Sequence, residues 1–261
     1  MEHATVKILN TRFNKINEDQ CVSTVIDRLD RGVGGWVITP NLDILRRYAR
    51  DSSFDYLAGK ADLVVADGMP VVWASYLKGT PLPGRVAGAN LVSQLAARAA
   101  AGGKSLFLLG GDHGTAEASA EVLQGRHPDL RIAGTLCPPM GFERDARQMR
   151  QIRDVLLRAR PDIVYVALGS PKQEWLIYEM RRYLPSTWWL GIGISFSFLS
   201  GRLRRAPEWM QSHGLEWAYR LYQDPHRLAK RYLVNGIPFA IYVLTKSLAE
   251  RLHEGRIVAR K

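Results

Sequence analysis

From Trp36 to Phe198 short apolar runs alternate with amphipathic segments: WVITPN then LDILRRYAR, LVVADG then MPVVWASYL, SLFLLGG then TAEASAEVLQG, LRIAGTLCPP then a charged segment to Arg160, DIVYVALG then KQEWLIYEMRRYL, and last WWLGIGISFSF. A short apolar run bounded by turn residues is a strand buried on both faces, and the segments between have helical length. Such strands need helices on both sides of the sheet. The pattern therefore predicts an α/β fold of Rossmann-like type, a mainly parallel sheet flanked by helices. The first thirty residues predict a strand or hairpin around Val6 to Ile16 and a helix from Glu18 to Arg31.

After Ser200 the material changes. The stretch GRLRRAPEWMQSHGLEWAYRLYQDPHRLAKRY, Gly201 to Tyr232, mixes Arg and Lys with Trp, Tyr and Leu at helical spacing. This divides the chain into an α/β body, 1–200, and a helical basic C-terminal appendage, 201–261. The formal net charge is +11, and Arg202 to Lys261 hold twelve Lys/Arg against five Asp/Glu. A basic surface attracts nucleic acid, anionic lipid or phosphorylated ligands without choosing among them. Asp224-Pro225 reads as an N-cap followed by a first-turn proline. In the helix it starts, Arg227, Lys230 and Arg231 share one face, either to meet an anion or simply to be solvated.

Two cysteines, Cys21 and Cys137, make no disulfide framework and have no metal-ligand spacing, which points to a reducing compartment. The N-terminus lacks the pattern of a signal peptide. The longest apolar run of the tail, Ile237 to Leu244, falls short of the ~20 residues that cross a bilayer and contains Pro238. A cytosolic protein that touches a membrane from one side is the expectation.

Ligands of open parallel sheets bind at the carboxyl ends of strands, and four such ends carry polar residues. Asp67 follows Leu63-Val64-Val65-Ala66 with Gly68 behind it. Its carboxylate is placed either to accept a proton from a hydroxyl or to cap the helix from Met69. Thr39 and Asn41 are open to the same two readings. Gly110 and Gly111, between a strand and a helix, can offer backbone N–H groups to a phosphate or ribose, although the run matches neither GxGxxG nor the P-loop. The fourth end is Gly169-Ser170-Pro171, leading into Lys172-Gln173-Glu174. Arg85, between Gly84 and Gly88, is either a bidentate anion grip or a surface-loop arginine. No Asp-x-Asp pair occurs, so the charge of a bound nucleotide diphosphate would fall to arginines and helix N-termini rather than Mg²⁺.

Taken together, TPN at Thr39, ADGMPVVW at Ala66, RVAGANL at Arg85, LGSPKQEW at Leu168, GIGISFSF at Gly191 and RRAPEWMQSHGLEWAYRLYQDPHRLAKRY at Arg204 resemble the WecG/TagA/CpsF family of bacterial glycosyltransferases, in order over roughly residues 30 to 235. The resemblance implies an inverting transferase with no metal cofactor, peripheral on the cytoplasmic face of the membrane. It would move a sugar from a UDP-sugar to a polyprenyl-diphosphate-linked saccharide in cell-surface polysaccharide synthesis. N-acetylmannosamine, its uronic acid and glucose stay open as donor sugars, as does homo-oligomerisation. By matching positions, Asp67 is the general base, Thr39 and Asn41 hold the donor and orient that carboxylate, and Gln173 lines the sugar pocket. The appendage closes over the pocket and reaches the membrane, with Arg220, Arg227 and Arg231 on a diphosphate. Many members carry an Asp where this chain has Ser197, a difference expected to bear on donor choice.

Two other classes fit the composition. A nucleotide-cofactor oxidoreductase of the same fold lacks its dinucleotide fingerprint here. A non-enzymatic nucleic-acid or membrane binder would rest on the charge alone, and nucleic acid is not expected as a partner.

Overall fold

The computed structural model describes residues 3–258, with side chains to His253. A hairpin of β1 (Thr5–Ile8) and β2 (Thr11–Asn14) precedes α1 (Glu18–Asp30), whose start is fixed by a reciprocal cap: Asn17 accepts from the Gln20 N–H, and the Gln20 side chain accepts from the Asn17 N–H. Six strands follow: β3 (Gly35–Ile38), β4 (Leu63–Val64), β5 (Ser105–Gly110), β6 (Arg131–Leu136), β7 (Ile163–Ala167) and β8 (Trp188–Gly191). They form one sheet in the order β4-β3-β8-β7-β5-β6, every pair parallel. The predicted α/β architecture is thus present.

Strand residues alternate between two cores. Val37, Leu63, Leu108, Tyr165 and Leu190 face α1, α5 (Gly88–Ala101), α6 (Thr115–Arg126) and α9 (Ser195–Leu199). Trp36, Phe107, Val164, Val166 and Trp189 face α2 (Leu42–Tyr48), α3 (Ser52–Ala58), α7 (Ala146–Ala159) and α8 (Lys172–Met180). The run WWLGIGISFSF, expected to be one strand, divides. Backbone at Gly193 has φ of +56°, turning the chain out of β8 and into α9.

The tail is packed as well as appended. After α10 (Glu208–Ser212) and α11 (Glu216–Gln223), Asp224 caps α12 (Pro225–Ala229) as expected, accepting from the Arg227 N–H. A π-helical stretch, Lys230–Gly236, runs on into α13 (Ile237–Val258). Pro238 does not end the helix, a correction to the reading that it limits the apolar run. The wider π turn just before it accommodates the missing N–H and the ring. Residues Pro225–His253 form one helix long and apolar enough to cross a membrane by length and composition. One side of it lies on α4 (Met69–Lys78), where Phe239 and Val243 join a third core with Val6, Ile8, Phe13, Val71 and Val72. Leu233, Val234, Ile237, Ile241, Tyr242 and Leu248 on its other sides are exposed. Because Val243 is fully buried, Val243→Ala is expected to cost about 2 kcal/mol, read as a lower urea midpoint. An unchanged midpoint would show that α13 does not contribute to the fold.

Candidate functional site

The four neighbouring strands β4, β3, β8 and β7 bring their carboxyl ends to one rim, and two adjoining cavities open there. The outer one, about 350 Å³, lies between α4 and the tail. Met69, Pro70, Trp73, Trp217, Tyr232, Ile237, Ile241 and Leu244 make most of its wall apolar. The inner one, about 280 Å³, is walled by Thr39, Arg47, Ser170, Gln173, Gly193, Ser195, Arg205 and Arg227. Asn41, Asp43, Asp67, Glu216, Arg220 and Arg231 border both. The junction of an apolar chamber and a polar one is therefore ringed by charge.

Asp67 stands at this junction. It does not cap α4, whose N-cap is Gly68 with no side-chain cap bond, so the carboxylate is free for the cavity. Its backbone N–H is tied to the Pro40 carbonyl at 3.1 Å, which links the ends of β3 and β4. Among the described residues the side chain accepts only a long bond, 3.4 Å, from the Gly88 N–H. Partly exposed to the cavity but shut off from bulk water by the surrounding protein, the carboxyl is pushed up to about 6. Burial is the main cause, with Glu216 adding to it and Arg85, the Gly88 N–H and Arg205 opposing it. A carboxylate so placed is mostly ionised at neutral pH and a stronger base than a solvated one. Activity that needs it ionised is expected to fall as pH drops through about 6, seen as an acid limb in kcat/KM.

Thr39 and Asn41 come with it. A Cβ on Gly88 would stand 3.3 Å from Thr39 Oγ1 and 3.8 Å from Asp67 Oδ2, so hydroxyl and carboxylate flank the same glycine. Asn41 is a helix cap: its Oδ1 accepts from the N–H groups of Asp43 and Ile44, each at 3.1 Å. Capping engages the oxygen and leaves the amide NH₂ for the cavity. Gln173 is buried, takes the Gly193 N–H on Oε1 at 3.2 Å and gives Nε2 to Glu174 at 3.1 Å. It thereby pins the turn after β8 to the inner wall.

The arginines are differently engaged. Arg85 reaches the site but is paired with Glu216 at 3.0 Å, so it is neither a surface-loop residue nor a free grip. Asp43 gathers Arg46 at 3.4 Å, Arg47 at 3.8 Å and Arg231 at 3.3 Å, and the Nε atoms of Arg46 and Arg231 are buried without a hydrogen-bond partner. Of these, Arg47 and Arg231 line the cavities with Asp43, and two guanidiniums against one carboxylate leave net positive charge facing them. Arg227 is mostly exposed and bonds Asp224 in its own helix, so the shared basic face of Arg227, Lys230 and Arg231 is split between separate partners. Arg220 borders both cavities and, among the described residues, has no carboxylate within ion-pair distance.

Two expectations need correcting. Gly110 and Gly111 line neither cavity. The Gly111 N–H goes to the Ala167 carbonyl at 2.6 Å, and a Cβ at either glycine would collide with Ala167 or Thr115. They serve close packing of β5 on β7 and of the turn on α6, because β5 lies outside the group of four strands that builds the site. Ser197 is buried in α9 and also lines neither cavity, so its lack of charge does not act on a ligand directly.

Asp43, Arg205 and Glu216 were not anticipated from the sequence. Glu216 sits four residues before Arg220 and Asp43 three and four before Arg46 and Arg47, spacings that put them on one helix face. That signal was present but undirected.

The model of the family described as "Glycosyl transferase WecG/TagA/CpsF family" matches residues 6–253. The chain is 30% identical over 229 residues to a Bacillus spizizenii protein, covering 88% of this chain and 87% of the relative. It is 32% identical over 217 residues to one from Bacillus subtilis (83% and 81%) and 29% over 212 residues to one from Staphylococcus aureus strain MW2 (81% and 80%). Each of the three is named N-acetylglucosaminyldiphosphoundecaprenol N-acetyl-beta-D-mannosaminyltransferase. A match over nearly the whole chain, with the motif residues Thr39, Asn41, Asp67 and Gln173 gathered at one rim, makes this chain a glycosyltransferase of the WecG/TagA/CpsF family.

Proposed function

We propose that the enzyme transfers an N-acetylmannosaminyl group from a UDP-sugar to N-acetylglucosamine carried on a polyprenyl diphosphate. The observation that carries this reading is the paired chamber: an apolar cavity and a polar one that meet at Asp67. A polyprenyl acceptor is apolar except at its diphosphate and sugar, which suits the outer chamber and its charged floor. A nucleotide sugar suits the inner one. The names of the relatives support both the acceptor and the sugar.

In this arrangement the acceptor hydroxyl gives its proton to Asp67 as its oxygen attacks the anomeric carbon. One carbon–oxygen bond forms, the bond to UDP breaks, and the electron pair leaves on the diphosphate. Desolvation equips Asp67 for this step, the Gly88 N–H holds it, and Thr39 stands beside the same glycine. Arg220, with the positive surplus around Asp43, meets the charge developing on the leaving group. Arginine in place of a metal is part of the proposal. It is supported by Arg47, Arg220 and Arg231 converging on the chambers.

Trp73, Ile237 and Ile241 are exposed and line the outer chamber, and Trp209, Tyr222, Tyr242 and Leu248 are further exposed apolar side chains of the tail. We place this side against the cytoplasmic face of a membrane, where basic residues meet anionic lipid and the acceptor's tail stays in lipid. The test is incubation of UDP-N-acetylmannosamine with a short-chain polyprenyl-diphosphate N-acetylglucosamine, read by mass. One added N-acetylhexosamine, undiminished by EDTA, is expected. Addition from another UDP-sugar alone would refute the donor, and loss of turnover in EDTA restored by a divalent ion would refute the metal-free chemistry.

A further inference from the structure

Glu216 has no part in the chemistry outlined above, yet it borders both chambers and its charge acts on Asp67. From α11 it accepts Arg85 Nη1 at 3.0 Å through Oε2, and its Oε1 lies 3.7 Å from Arg205 Nε. Arg205 in turn donates to Asn90 Oδ1 at 2.6 Å, and the Asn90 amide is held by Glu18 at 2.9 Å. The side chains of Arg85, Arg205 and Glu216 are 15%, 22% and 20% exposed, so this network is largely sheltered from water. Asp67 lies beside both arginines and, among the described residues, forms an ion pair with neither.

That is an unusual outcome for a carboxylate next to two guanidiniums. A bare arginine would pair with it, and the paired carboxylate would be a weak base. We propose that Glu216 is a positioning residue: by engaging Arg85 it keeps that guanidinium of the body off Asp67, while Arg205, which comes with the tail, is held by Asn90, and because Glu216 is carried by the tail it acts only when the tail is docked on the body. This rests on Asp67 acting as the base. Arg220, Arg231 and Asp43 border both chambers and Arg47 and Arg227 the inner one, and among the described residues none of these arginines pairs with Glu216. Docking of the tail then both closes the site and leaves the base unpaired.

The test compares wild type, Glu216→Gln, Glu216→Asp, Asp67→Asn and the double variant Arg85→Ala/Glu216→Ala, assayed with UDP-N-acetylmannosamine and the short-chain acceptor over about pH 5 to 9. In E216Q the released Arg85 turns to Asp67, so the acid limb of kcat/KM moves down by about one pH unit and plateau kcat falls about 3- to 10-fold. E216D keeps the charge and the wild-type limb. In the double variant there is no guanidinium to release from position 85, and the limb returns to the wild-type position whatever the rate. A limb that stays put in E216Q, or that moves equally in the double variant, overturns the inference. Should E216Q fail to fold, the double variant leaves no bare charge at these two positions and decides alone: a limb displaced downward by a unit refutes the proposal. Wild-type turnover by D67N would instead remove the base itself. An inactive D67N with an unmoved E216Q limb removes only the role of Glu216.

Discussion

Asp67→Asn is expected to lower kcat roughly 10²- to 10⁴-fold, the usual worth of a positioned base, while UDP binding persists. Asn preserves the shape of the side chain and an oxygen for the Gly88 N–H, so the cavity walls stay in place. Only the proton acceptor is lost. Stability should move in the opposite direction. The Asp67 carboxyl is raised to about 6 in the folded chain, so folding favours its protonated form. That contribution is complete below the unfolded value and is lost as pH rises through about 6. At pH 8 the native protein holds an ionised carboxylate in a site that disfavours it, and D67N should be more stable by about 1–2 kcal/mol. A variant both more stable and inactive marks a residue kept for chemistry. Wild-type turnover by D67N would refute the assignment.

Arg220→Ala is the second large effect. Arg85 is tied to Glu216 and Arg231 to Asp43, so removing either disturbs an ion pair as well as any ligand contact. Arg220 faces both chambers without such a partner, and its loss should leave the melting curve within about 0.5 kcal/mol of wild type. Deleting a cation aimed at a leaving diphosphate is expected to lower kcat/KM about 100-fold. A fall of similar size in melting stability instead would make Arg220 a structural residue.

The α/β architecture was legible because burial on both faces leaves an unmistakable pattern: Trp36-Val37-Ile38 and Ile163-Val164-Tyr165-Val166 admit little but central strands. The order of strands was not legible. Gly110 and Gly111 end a strand just as Asp67-Gly68 does, and only the order β4-β3-β8-β7-β5-β6 separates the rim that builds the site from the turn that merely packs. The path of the tail was hidden for a related reason. Local rules located the Asp224 cap, but Pro238 was read as a breaker when the π turn absorbs it. Pairing between distant charges was least accessible. Nothing near Arg85 in the chain announces Glu216, 131 positions away, and it is this contact that turns a free grip into half of a clamp.

The proposed transfer is one displacement across the junction of the two chambers, driven by one base. The most direct measurement of that claim is the anomeric configuration of the new linkage, read by NMR on product made from an α-linked UDP donor. A single displacement predicts a β-linked product. An α-linked product would require two displacements and a covalent or equivalent intermediate, and would contradict Asp67 as the base of a one-step transfer.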